Sequence, residues 1–540
     1  MSSLFNSTCL CLICCVVIAA TQNCEIEGDW YSDLKCQEVS SLQEITRVKS
    51  LSSILQLNLV INNNHTELII GAANFTLPTL MGIDLHVPHL ELRNGAFANF
   101  PDLGWITMND CGLEQLEKSY FSIHRRMLQI RVSHNKLKFI SKGVFENLFQ
   151  LVYVYLDHND LTHLELPHMT YLRDLYLGHN KLDDFNCDCP HLLLLYLNDN
   201  QLTHVDSTSF QQLPELLELQ LSGNLITDIG KNTFQSLTKL RTLNLSRNAL
   251  TSLPADVFGS SIEQQFTLQQ LDLSHNNINV LFENQFELLG GLQLLDLSGN
   301  KIAVLKSAHF AGLISLRHLY LGSNDNMELR GHTFETLKQL ETLDLSHIGL
   351  DILGPHLFGY KQEETESIYY YLRMAHMRKL NLNGNKLQHL HLRTFAKLSS
   401  LKELYLSNNA LRFLSASVLD PIQNLRKLDV SYNQLAEISS EVLNRLNNIT
   451  DLHIDNNQLT FLPNLNGTLP HLQSVAIKGN PWQCVCLMEL KDWLTSRQVN
   501  YEDGSNVKCV ETTFDYCVQN VKDDRRNDAE NELEFWRTTG

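Results

Sequence analysis

No cluster of lysine and arginine interrupts this chain of 540 residues, in which 60 acidic residues outnumber 42 basic ones and leave a formal net charge of −18. Nucleic acid is therefore a poor partner, because binding it needs basic groups that neutralise phosphates. An acidic surface suits a basic or neutral partner instead. After residue 20 there is no apolar run long enough to span a bilayer. The tail Val518 to Gly540 is charged, carries no lipid-anchor signal and is too short for a sustained heptad seam. A phosphate-cradling glycine loop, a nucleophile elbow and a metal-binding histidine pair on a helix are also missing. Catalysis has no footing, and neither a cofactor nor a metal ion is expected.

What the chain does contain is one frame written over and over. An apolar residue is followed by two variable ones, an apolar, one variable, an apolar, two variable and then asparagine. Leu216, Leu219, Leu221 and Asn224 fill it, as do Leu240, Leu243, Leu245 and Asn248, then Leu292, Leu295, Leu297 and Asn300. The asparagine slot falls at 135, 159, 180, 200, 224, 248, 276, 300, 324, 385, 409, 433, 457 and 480, mostly 24 residues apart. Pro88, Cys111 and Ile348 occupy the slot in three further repeats, and Ile54, Leu57, Leu59 and Asn62 form a weaker early match. This pattern is identified as the leucine-rich repeat.

The frame implies a fold. Each repeat supplies one short strand with its apolar side chains turned inward, and the asparagine amide can satisfy backbone groups that water cannot reach. A phenylalanine lies ten residues after most slots, at 121, 145, 210, 234, 258, 286, 310, 334, 358 and 395, and these should stack behind the strands. No repeat closes a core alone, so the ends need caps. The expected class is α/β: a leucine-rich repeat solenoid, or horseshoe, with a parallel β-sheet on its concave face and disulfide-capped ends. About seventeen strands at about 4.8 Å give an inner surface of about 75 to 80 Å, suited to a large ligand. The expected layout is a signal peptide at 1–20, an N-terminal cap region at 21–79, repeats at 80–480, a cysteine-rich cap at 481–517 and a polar tail at 518–540.

The apolar run Cys9 to Ala20 ends in small residues and reads as a secretory leader, although it lacks a leading Lys or Arg. The protein is therefore expected to be secreted and extracellular. Thirteen cysteines become nine once that leader is removed. Cys24 and Cys36 bracket a short segment ahead of the repeats, as an N-terminal cap would. Cys484, Cys486, Cys509 and Cys517 lie in and after NPWQCVCLMELKDWL, and spacing alone allows three pairings. This segment resembles the cysteine-rich C-terminal flank of extracellular leucine-rich repeat proteins, among them Toll-type receptor ectodomains and Slit-like proteins. The resemblance implies Cys484 with Cys509 and Cys486 with Cys517. Cys111 reads as an inert thiol in the asparagine slot. Cys187 and Cys189, in FNCDCPHL, are either buried thiols, a local disulfide, or the source of a bond to a disulfide-linked partner chain.

Sequons place candidate glycans at Asn64, Asn74, Asn244, Asn448 and Asn466. Asn244 lies between Leu243 and Leu245, so its side chain faces the inner surface, where a glycan would shield the middle of that face. The same column carries Tyr155, Tyr176 and Tyr196 in consecutive repeats, beside Tyr153 and Asp157. Just before the slot the same repeats carry His134, His158 and His179. Tyrosine offers rigid area with a polar tip, so this is the candidate ligand patch. The histidine column belongs to that patch and reads as a pH-sensitive element of binding, not as a metal site. Asp272, Asp296, Asp344, His275 and His347 read as ordinary repeat spellings. Thirteen extra residues between slots 348 and 385 form a rim loop, either solvated or a contact loop bearing Tyr369, Tyr370 and Tyr371.

The function expected from this sequence is a secreted, glycosylated recognition protein that binds a protein or a microbial surface ligand in innate immunity. The resemblance extends to the secreted leucine-rich immune proteins of insects. The alternatives are a matrix or adhesion protein resembling Slit or chaoptin, or a carrier or inhibitor that sequesters a growth factor or protease.

Overall fold

The computed structural model describes residues 24–27, 31–42, 56–64, 67–72, 77, 80–260, 266–358, 374, 376–463, 465, 467–502, 509–511 and 517. The leader, Asn74, Asn466, the loop tyrosines Tyr369, Tyr370 and Tyr371, and the tail 518–540 lie outside the described residues. The chain divides into two compact units, Met1–Ile302 with Ala308–Leu316, and Ala303–Ser307 with Arg317–Gly540.

The first unit opens with an antiparallel hairpin, Cys24–Glu27 against Tyr31–Gln37, in which Cys24 faces Cys36 and is disulfide-bonded to it. The second hairpin strand then pairs in parallel with Gln56–Asn62, which pairs with Leu80–His86 and onward to Trp105–Thr107 and Gln129–Arg131. Tyr153–Tyr155, Asp174–Tyr176, Leu194–Tyr196, Glu218–Gln220, Thr242–Asn244, Gln270–Asp272 and Leu294–Asp296 continue the sheet. The strand of the weak early frame is thus a full member of the sheet, but the buried amide there is Asn63 rather than Asn62: it accepts from Val39 N at 2.9 Å and donates to Val39 O at 2.6 Å. The capping hairpin lends the sheet a first strand that no leucine spacing announces.

The second unit repeats the plan with His318–Tyr320, Thr342–Asp344, Lys379–Asn381, Glu403–Tyr405, Lys427–Asp429, Asp451–His453 and Ser474–Ala476. Its C-terminal cap is the helix Cys484–Ser496 followed by the strand Asn500–Glu502, which pairs with Ser474–Ala476. Cys484 is bonded to Cys509 and Cys486 to Cys517. Trp482, wholly buried, donates its indole N–H to Ile477 O at 2.7 Å. The class is a parallel-strand stack of coils with sheet dominant and few helices. None of the helices among the described residues is long and apolar enough to cross a membrane.

Most three-residue strands of the long ladder bury the central residue and leave the two flanking side chains half-buried on the other face, as alternation requires. Behind the strands all ten spine phenylalanines are buried. Phe210 stacks on Phe234 at 6.1 Å, and Phe97, which the spacing did not single out, stacks on Phe121 at 5.7 Å. Between repeats the asparagine does the joining. Asn248 accepts from Ile226 N of the preceding coil at 3.0 Å and donates to Leu221 O at 2.9 Å and to its own Leu245 O at 3.0 Å. Where cysteine replaces it, Cys111 Sγ lies 3.4 Å from Leu85 O and 3.2 Å from Asn109 O, a weaker form of the same arrangement. Burial pushes the Cys111 thiol up to about 11, which keeps it protonated and unreactive.

Asn248→Ala leaves the buried Ile226 N–H without its acceptor, while Leu221 O and Leu245 O keep the amides of Asn224 and Asn276, so it should lower apparent stability by about 1–3 kcal/mol. Urea denaturation of the full chain measures this, and an unchanged midpoint would contradict the ladder's role.

Candidate functional site

Because the strands pair in register, residues at the third strand position form a column across the open face. In the first unit it runs Thr107, Arg131, Tyr155, Tyr176, Tyr196, Gln220, Asn244, Asp272 and Asp296. Short acceptors in this column serve the backbone. Asn244 Oδ1 accepts from Ser246 N at 3.0 Å, Asp272 Oδ1 from Ser274 N at 2.9 Å and Asp296 Oδ1 from Ser298 N at 2.9 Å. In the second unit Asp344 accepts from Ser346 N at 2.8 Å and Asp429 from Ser431 N at 3.0 Å. The aspartate spelling of the repeat is therefore a turn-securing device, the side chain bonding its own backbone two residues on.

A phenol cannot make that bond, so the three tyrosines give it up. In its place their rings stack, Tyr155 on Tyr176 at 4.6 Å and 16°, and Tyr176 on Tyr196 at 4.5 Å and 9°. The Arg131 guanidinium closes one end, 4.2 Å over the Tyr155 ring. At the other end the Tyr196 hydroxyl donates to Glu218 Oε1 at 2.8 Å. Burial raises the Tyr176 and Tyr196 hydroxyls above their ordinary value, and the Glu218 hydrogen bond adds to the effect at Tyr196. Both phenols stay neutral donors throughout the physiological range. Ring pairs of this kind contribute about 0.5–1.5 kcal/mol beyond their burial, so the ladder is a stiff surface before any ligand arrives.

The neighbouring column sets Tyr153, Asp174, Leu194 and Glu218 in register. Burial raises the Asp174 carboxyl above its ordinary value, only partly offset by Arg173. A third row lies at the turn. His134, His158 and His179 occupy left-handed backbone, with φ of 55°, 54° and 54°, where Gly223 and Gly299 sit in other repeats. Their rings stack at 4.1 and 4.2 Å. Asp157 lies among them, accepting from Ser133 Oγ at 2.5 Å, with its other oxygen 3.0 Å from His158 Nδ1. The tyrosines and histidines singled out by register therefore do come together. Arg131, Asp174, Glu218 and Ser133 belong to the same patch; the strand register places them there, whereas no repeat spelling flags them.

This patch coincides with the shortest coils, whose slots at 159, 180 and 200 lie closer than the usual 24. The coils after slots 159 and 180 lack the spine phenylalanine, and Met169, Cys187 and Cys189 fill the space, all buried. Cys187 and Cys189 are joined to each other. With both sulfurs inside the coil, the alternative of a bond to a partner chain has no exposed thiol to start from. A His168 to Asp188 contact at 2.8 Å and a Met169 N to Asp188 O bond at 2.9 Å tie the two short outer segments together.

Of the candidate glycan sites within the described residues, Asn64 is exposed. Asn448 donates Nδ2 to Gln423 O at 2.8 Å, a bond that a glycan would have to share or displace.

The family profile described as Leucine rich repeat matches residues 125–182, 172–226, 190–250, 218–260, 266–325 and 375–435. Human leucine-rich repeat transmembrane protein FLRT2 is 35% identical over 92 residues, 16% of this chain and 14% of that one. Rat lumican is 30% identical over 160 residues, covering 23% of this chain and 47% of lumican. The chain thus spans less than half the length of these relatives. Among solved structures, one of the Drosophila Toll–Spatzle complex in glycosylated form aligns over 89% of this chain and 70% of its own, with a TM-score of 0.65 and 19% identity. A leucine-rich repeat protein of Leptospira interrogans aligns over 77% of this chain and 95% of its own, with a TM-score of 0.57 and 22% identity. At such identities these likenesses speak for the fold alone.

Asp174 supplies a pH-dependent prediction. Its folded-state value is raised, so its contribution to stability is full below the unfolded carboxylate range and is lost as pH rises through the folded value. Asp174→Asn should be more stable than the native chain at pH 7, by less than about 1 kcal/mol because the group is partly solvated. The gain should vanish near pH 3. Thermal midpoints recorded across that range test it, and a neutral or destabilising effect at pH 7 would refute the sign.

Proposed function

Because the chain is a leucine-rich repeat protein, we propose that it works as a secreted recognition protein whose partner docks on the Tyr153, Tyr155, Tyr176 and Tyr196 face. The observation that carries this is the exchange made at three consecutive strands. A backbone-securing acceptor is replaced by a phenol that secures no turn, and the phenols build a rigid stack capped by Arg131 and Glu218. Rigid aromatic area with polar tips is what interface hot spots use. The half-buried Asp174 beside the stack pays a desolvation cost that a cationic group on the partner would relieve. A protein ligand presenting Lys or Arg is the preferred partner, in keeping with the net charge of −18.

The disulfides near both termini suit an oxidising, extracellular setting. A glycan on Asn244, two strands or roughly 10 Å from Tyr196, would bound the docking area on that side. The innate-immune assignment follows from the resemblance to Toll-type ectodomains and insect leucine-rich immune proteins. It expects induction of the protein after infection, whereas expression confined to developing tissue would favour adhesion.

Tyr155→Ser, Tyr176→Ser and Tyr196→Ser combined should abolish capture of the partner from body fluid while leaving secretion and circular dichroism unchanged. Capture at native yield would discard this face as the docking site. Peptide mapping is expected to find Asn244 glycosylated, and an unmodified Asn244 would remove the proposed boundary.

A further inference from the structure

The histidine row beside the tyrosine stack carries a donor set that ring stacking does not explain. Donor atoms of His134, Asp157 and His158 all lie within 4.8 Å of one another. Two constraints hold them there. His134 and His158 occupy the same left-handed turn position in adjacent coils, so one coil step sets their rings face to face at 4.1 Å. Asp157 has one oxygen held by the Ser133 hydroxyl, which leaves the other 3.0 Å from His158 Nδ1. His179 covers the far face of His158 at 4.2 Å and its Nε2 lies 3.4 Å from Asp199, which limits how far the row can turn away. Other histidine–aspartate contacts in the first unit, His204 with Asp206 and Asp228 or His168 with Asp188, bring a single imidazole each.

We propose that His134, Asp157 and His158 form a binding site for a divalent transition metal ion of the zinc type. Two imidazoles and one carboxylate suit zinc and its neighbours, whereas calcium and magnesium call for oxygen-rich shells. Donors around a tetrahedral zinc lie about 2.0–2.2 Å from the ion and hence about 3.3 Å from each other, so the donors must close by about an ångström and the His134 and His158 rings must turn out of their stack, because an imidazole lone pair lies in its ring plane. Three protein donors leave a fourth position for water or for a donor from outside the chain. The hydrogen bond from Ser133 to Asp157 supplies the outer support that orients a ligating carboxylate. Register alone places these histidines and Asp157 in the candidate ligand patch; the convergence of their donor atoms comes only from the turn geometry. The site does not depend on the docking role of the tyrosines, since it requires only the ion.

The test is calorimetric titration of the full, EDTA-treated and dialysed chain with zinc chloride, paralleled by cobalt chloride followed in visible absorption. The native chain is expected to take up one saturable equivalent with a dissociation constant below about 100 µM, and the bound cobalt to show tetrahedral-type bands. His134→Ala with His158→Ala should weaken that equivalent at least ten-fold. Asp157→Asn, which keeps an oxygen for Ser133, should weaken it several-fold. His158→Gln, a polar replacement at an exposed turn, should repeat the loss if the double variant proves unstable. His275→Ala with His347→Ala, and the triple tyrosine variant, should bind as the native chain does. Native-strength binding by the His134/His158 double variant or by His158→Gln would overturn the site. So would the absence of a saturable equivalent in the native chain.

Discussion

Everything in this molecule depends on one side-chain amide repeated at fixed spacing. A coil that turns back on itself leaves backbone N–H and C=O groups at the corner after its strand, and burial denies them water. The asparagine amide answers both at once. Its oxygen takes an N–H of the preceding coil, and its nitrogen spans carbonyls of both coils, as at Asn180 with Leu161 N, Leu156 O and Leu177 O. Because the bond reaches backward by one coil, it sets register as well as satisfying polar groups. Every column on the open face inherits that register.

Register turns single substitutions into surfaces. A tyrosine at one strand position would be an isolated exposed ring, whereas tyrosines at the same position in three neighbouring coils must stack, because the strands hold them a ring's thickness apart. The aspartates elsewhere in the column share that register but are engaged by their own backbone, as Asp296 is by Ser298. One position thus does two kinds of work, closing the turn in most coils and facing outward in a few. The turn position before the asparagine behaves in the same way. Glycine fits its left-handed backbone without strain, and histidine, one of the side chains more tolerant of that region, brings a ring to the surface where glycine brings none.

Much of this was legible in the residues. Leucine spacing located the strands, the asparagine slots located the corners, and counting along the frame put Tyr155, Tyr176 and Tyr196 in one column and His134, His158 and His179 in another. The early strand Gln56–Asn62 was faint because its frame lacks the accompanying signals: Ala72 stands where the spine phenylalanine would be, and Pro88 fills the next slot. The hairpin strand Tyr31–Gln37 was invisible, since it is recruited by pairing rather than by pattern. Arg131 could be counted into the tyrosine column, yet its stacking on Tyr155 depends on a side-chain conformation that spacing does not encode. The bond between Cys187 and Cys189 was one of several open alternatives until their shared burial in a short coil was known.

By itself the sequence determined the periodic part: which residues face inward, which corners need an amide, and where the usual length is broken. These follow from local chemistry that repeats every coil, so a linear pattern suffices to read them. Tertiary structure alone decided which side chains from different coils meet. The Asp157 carboxylate beside two histidine rings, Glu218 under the Tyr196 hydroxyl and the partly desolvated Asp174 are products of stacking. Their physical cause is the few ångströms between adjacent strands, a distance that joins residues more than twenty positions apart and leaves no trace in either neighbourhood of the chain.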